Sequence, residues 1–65
     1  MVKFPEVIVQ LSDEDGNAFF IMGRTRRAMR DAGIPRDAID EFSSEAMSGD
    51  YDHVLQTVMA TVTTE

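Results

Sequence analysis

The 65-residue chain carries twelve acidic and six basic residues, a net charge of −6, 43% hydrophobic residues and no cysteine. This excludes a disulfide framework and a Cys-based zinc site, leaves no apolar run of transmembrane length, and argues against nucleic acid as a partner, since sequence-independent binding runs on Lys and Arg neutralising phosphates. One small domain, 1–65, is expected, with a limited core, because a chain of about 60 residues buries only about 60% of its unfolded surface.

Met1 to Pro5 lead into Glu6–Leu11, EVIVQL, which alternates. Val7, Val9 and Leu11 share one face and Glu6, Ile8 and Gln10 the other, the pattern of a half-buried strand. Pro5 suits the first position or an edge of that strand. A lone strand cannot satisfy its backbone groups. It needs the C-terminal tail as a partner, or the same strand in another copy.

Ser12–Gly16, SDEDG, reads as a turn into a long helix between Asp15 and Gly33. Asp15 or Asn17 can N-cap it. Gly33 can close it in the left-handed conformation. At about 100° per residue, Ala18, Ile21, Met22, Thr25, Ala28, Met29 and Ala32 form the core stripe. Phe19 and Phe20 lie off this stripe, and Gly23 sits beside them on the far face. A mid-helix glycine costs up to about 1 kcal/mol against alanine, so a close approach is expected there. Either the fold covers these aromatic rings, or they form an exposed patch for a partner or a second copy. Arg24, Arg26, Arg27 and Arg30 are four of the six basic residues. They either clamp phosphate or form a solvated face paired with acids such as Asp37, Glu41 or Glu45.

Pro35 can cap a second helix, with Ile34 and Ile39 spaced as a hydrophobic staple around it. Ile39, Phe42, Ala46 and Met47 form its apolar stripe, Asp37, Asp40, Glu41 and Glu45 are solvated or face another chain, and Gly49 stops it. Asp50 can N-cap a third helix whose stripe is Tyr51, Val54, Leu55, Val58, Met59 and Val62. The β-branched run Thr61-Val62-Thr63-Thr64 disfavours helix and suits a strand, so the helix should give way near Met59–Thr61.

Few constellations carry chemistry. Asp13-Glu14-Asp15-Gly16-Asn17 has the flavour of a calcium loop, but with Gly16 at loop position six the first and last ligand positions fall on Leu11 and Met22. A capped, acidic helix start explains the run better. Asp50, Asp52 and His53 offer three ligand types, but the chain has one histidine and no second shell is evident. His53 projects away from the apolar stripe. Ser12, Ser43, Ser44 and Ser48 suit turns and helix surfaces. No catalytic residue, metal or cofactor is assigned.

DGNAF at 15–19, IDEF at 39–42 and SGDYDH at 48–53 together resemble a family of small uncharacterised bacterial and phage proteins. The similarity runs from the first strand to the third helix. It implies a cytoplasmic bacterial or mobile-element origin and transfers no activity, ligand or site. With no signal peptide visible, cytoplasm is the default compartment.

The sequence therefore predicts an α+β domain: an N-terminal strand, three helices, and a short C-terminal strand that pairs with the first. It predicts a non-enzymatic protein–protein interaction module, with a homodimer as one form, contacting its partner through Phe19, Phe20, Gly23, Arg26, Arg27 and Arg30. The alternative is a nucleic-acid-related regulator, acting through the arginine cluster or through acidic mimicry of a phosphate backbone. An uninterrupted acidic face on the second helix would favour mimicry.

Overall fold

The computed structural model describes residues 2–11 and 18–65. Among them the order is β1 (Phe4–Val9), α1 (Ala18–Asp31), α2 (Arg36–Ala46), α3 (Tyr51–Thr61) and β2 (Val62–Thr64). This is the predicted α+β architecture. The cap at Asp15 or Asn17, the SDEDG turn and the calcium-like run lie outside the described residues.

The C-terminal strand pairs with the first, and the pairing is parallel. Phe4 lies opposite Val62, Ile8 opposite Thr63 and Val9 opposite Thr64, with an irregularity between Phe4 and Ile8. Pro5 lies inside β1 rather than before it. Having no amide, it cannot donate to a ladder. The Thr63 hydroxyl instead donates to its carbonyl at 2.8 Å. Beyond the strands, the Lys3 amide donates to Ala60 O, the Glu65 amide to Val9 O, and the Leu11 amide to Glu65 O, each at 3.0 Å.

Val7 and Val9 are buried beneath the helices, and Ile8 faces out, as the alternation requires. On α1 the buried line is Ile21, Met22, Thr25 and Met29, with Ala18 and Ala28 half-buried. Ala32, predicted to be core, is exposed because the helix has already ended at Asp31. Gly33 has a φ of 83°. The Gly33 amide donates to Arg30 O and the Ile34 amide to Met29 O, both at 3.0 Å, which is the paired-bond Schellman ending. Ile34 then packs on the core across Pro35 from buried Ile39, the predicted staple.

Two stripes need correction. Met47 is exposed rather than core, since α2 ends at Ala46 and Met47 only caps it. On α3 the buried line is Val54, Thr57, Val58 and Thr61, while Tyr51 and Met59 are exposed and Leu55 is half-buried. The spacing 54, 57, 58, 61 is one helical face. Its threonines are tolerated because each hydroxyl donates to the carbonyl one turn back: Thr57 to His53 and Thr61 to Thr57, both at 2.7 Å. Thr25 does the same to Ile21 at 2.8 Å. Among the described residues no buried side-chain nitrogen or oxygen lacks a partner. No described helix is long and apolar enough to cross a membrane.

Met29 is fully buried at the centre of this packing. Met29→Ala is expected to cost about 2–5 kcal/mol, enough to unfold much of so small a domain. Leu55→Ala, at a half-buried position, should cost clearly less. Urea denaturation of the two variants tests the ranking; equal losses would contradict the placement of Leu55 at the core's margin.

Candidate functional site

The outward side of α1 is where apolar groups meet solvent. Phe19 is 72% exposed and Phe20 66%. A Cβ built on Gly23 meets nothing within 4 Å, so the close approach expected at this glycine is made by no described part of the chain. Phe19, Phe20, Gly23, Arg24 and Arg27 line a shallow hollow of about 310 Å³. The Arg24 guanidinium donates to Gln10 O at 2.9 Å and so anchors one rim to the segment after β1.

Phe19 also borders a second hollow, of about 220 Å³, together with Met22, Met47, Tyr51 and Val54. Met47 is 62% exposed and Tyr51 41%. The sequence pattern predicts both residues to be core. Their hydrophobicity hid them, because an apolar residue on a helical stripe looks buried unless the helix ending beside it is known. The structure joins them to the Phe19–Phe20 patch.

The six predicted contact residues divide between two places. Phe19, Phe20, Gly23 and Arg27 surround the first hollow. Arg26 and Arg30 instead line a cleft of about 380 Å³ between α1 and α2, with Ile34, Arg36, Ile39 and Asp40. Among the described residues, no ion pair involves Arg26, Arg27 or Arg30. The expected pairing with Asp37, Glu41 or Glu45 is not made among the described residues: Glu41 and Glu45 have other partners, and Asp37 forms no ion pair. Glu41 lies 3.7 Å from Lys3, Asp40 lies 3.9 Å from Arg36, and Glu45 is held by His53. Lys3 and Arg36 also interrupt the acidic face of α2 that mimicry would need.

A polar cluster that sequence reading missed joins the end of α2 to the start of α3. His53 Nε2 lies 2.7 Å from Glu45 Oε2 and 3.2 Å from Ser48 Oγ. Ser48 Oγ also donates to Glu45 O at 2.7 Å and approaches Glu45 Oε2 at 3.1 Å. Asp50, the predicted cap, accepts from the His53 amide at 3.0 Å. His53 is accordingly half-buried rather than fully solvated. A serine, a histidine and a carboxylate come together here, but serine and carboxylate crowd the same ring nitrogen. A nucleophile relay needs the acid on the opposite nitrogen, leaving Nε2 to take the serine proton. The cluster is built as a clasp between helices. Gly49 belongs to it: its φ is not positive, but a Cβ there would stand 2.8 Å from His53 Cβ and Cγ. No three metal-binding side chains converge among the described residues.

No family model, curated protein or solved structure matches the chain.

The Glu45 carboxyl is held below its ordinary 4.5, chiefly by its hydrogen bond with His53, then by Ser48 and by the histidine's charge. A depressed carboxyl stabilises the fold above its unfolded value, and that contribution is lost as pH falls through the folded value. Stability should therefore decline below pH 4.5, and less steeply in Glu45→Gln. Gly49→Ala should destabilise at every pH by displacing the imidazole. Acid titrations followed by circular dichroism test both; identical acid limbs for wild type and Glu45→Gln would remove the clasp.

Proposed function

We propose that the protein is a non-enzymatic interaction module that pairs with a second copy of itself through the outer face of α1. The observation that carries this reading is the fully open Gly23 between two exposed phenylalanines and two arginines that no described acid engages. Phe20 and Arg26 stand three residues either side of Gly23, and Phe19 and Arg27 stand four residues either side. A two-fold axis through the glycine therefore brings Phe20 of one copy onto Arg26 of the other, and Phe19 onto Arg27. A guanidinium over an aromatic face is attractive, and a surface that complements itself is what a closed dimer requires. A glycine at the crossing lets the helices approach more closely than any side chain would. The apolar surface at Met47 and Tyr51 extends the same patch. For a domain with so little core, burying this surface would also add stability.

Two variants separate association from folding. Phe20→Ala should change the monomer's stability by less than about 0.5 kcal/mol, as an exposed substitution, yet weaken self-association in sedimentation equilibrium. Gly23→Ala should stabilise the monomer, by up to about 1 kcal/mol, while also weakening the dimer, because the added methyl stands at the crossing. A wild type that stays monomeric at all concentrations, or a Phe20→Ala variant that unfolds yet still associates, would defeat the proposal.

A further inference from the structure

We propose that the cleft between α1 and α2 is a binding site for a phosphate monoester on a small organic body. Arg26 is common to this cleft and to the proposed pairing of α1 helices; Arg30, Ile34, Arg36, Ile39 and Asp40 belong to the cleft alone. The cleft, about 380 Å³, is lined by Arg26, Arg30, Arg36, Asp40, Ile34 and Ile39. Three guanidiniums against one carboxylate leave a lining of net positive charge on a chain whose formal charge is −6.

The placement of these arginines runs against helix electrostatics. Arg26 and Arg30 are one turn apart on α1, a repulsive like-charge pair. Arg36 is the first residue of α2, where the positive end of the helix dipole disfavours a cation. Its one carboxylate neighbour, Asp40, stands 3.9 Å away, and the Arg36 side chain is 93% exposed. The dipole favours Arg30 alone, in the last turn of α1. A bound dianion would reverse all of these unfavourable terms at once. Guanidinium forks match phosphate oxygens in bidentate geometry. Ile34 and buried Ile39 add an aliphatic floor, which bare phosphate would leave wet and an organic body would cover. The volume is that of a small-molecule site.

The test is a chemical-shift titration of the isotope-labelled full chain at low salt. The probes are adenosine 5′-monophosphate, ribose 5-phosphate, inorganic phosphate and adenosine. Both monoesters should shift the amides of Arg30 and Arg36 saturably. Inorganic phosphate should bind more weakly, and adenosine should leave these amides unmoved. Arg30→Gln and Arg36→Gln should each weaken monoester binding roughly tenfold or more. Arg30→Lys, which keeps charge but loses the fork, should fall between. Arg27→Gln, outside the cleft, should match wild type. Any of three results overturns the site: no saturation by either monoester, equal affinity for inorganic phosphate, or equal weakening by Arg27→Gln. Arg30, Arg36 and the shift pattern are independent of the Phe20 and Gly23 association test, so failure of one proposal is distinguishable from failure of the other.

Discussion

Two parallel strands cannot be joined by a tight turn, so the pairing of Phe4–Val9 with Val62–Thr64 requires the chain between them to cross back along the sheet. Three helices make that crossover. The need to deliver Val62 beside Phe4 fixes where α3 ends, and with it which α3 side chains face inward. The pair is short and contains a proline that cannot donate. It is held by the Thr63 hydroxyl and by backbone bonds at both ends as much as by its own ladder. A two-stranded sheet has little stability alone. Here buried Val7 and Val9 tie it to α1 and the rest of the core.

The elements were legible because their signals are local. Alternation at Val7 to Val9, the glycine after α1, the staple across Pro35 and the Asp50 cap each act within a few residues. Their physics does not depend on what lies across the core. The failures have a shared cause as well. Thr57 and Thr61 lie outside the purely apolar stripe, and Thr61 opens the β-branched run that suits a strand. Each is satisfied within its own helix, and the remaining methyl packs like part of a valine. Met47 and Tyr51 fall on apolar stripes, which predicts burial. Their exposure depends on where α2 stops and how the next turn runs, which is tertiary information. The Glu45–Ser48–His53 clasp spans two helices and has no spacing that announces it.

The candidate surface was only partly legible. The sequence marked Phe19, Phe20 and Gly23 as misfits, and the structure leaves all three in the open. It could not separate the arginines. Arg24 is tied to Gln10, Arg27 borders the aromatic hollow, and Arg26 and Arg30 turn towards α2. That division depends on the packing of α2 against α1, and Arg36 enters the picture only through it.

Departures from local rules are unevenly distributed over the described residues. The inner faces obey every local rule: apolar or internally bonded groups, no buried polar atom unsatisfied among the described residues, and helix ends closed by Gly33 and Asp50. Of the outward acids of α2, Asp40 and Glu41 stand beside cations and Glu45 is hydrogen-bonded by His53 and Ser48. The departures gather around α1 and the start of α2: a glycine inside a helix, two exposed aromatic rings, like charges one turn apart, and a cation at the wrong end of a dipole. None of these helps the isolated fold, and a domain of this size has little stability to spare. Broken local rules also occur at Pro5 and the irregular register of β1 and at exposed Ile8 and Met59. Only around α1 do aromatic rings, an open glycine and arginines that no described acid engages occur together, which supports the proposed surface. A second helix on the aromatic side and an anion in the arginine cleft, the two occupants proposed, would each relieve departures of this kind.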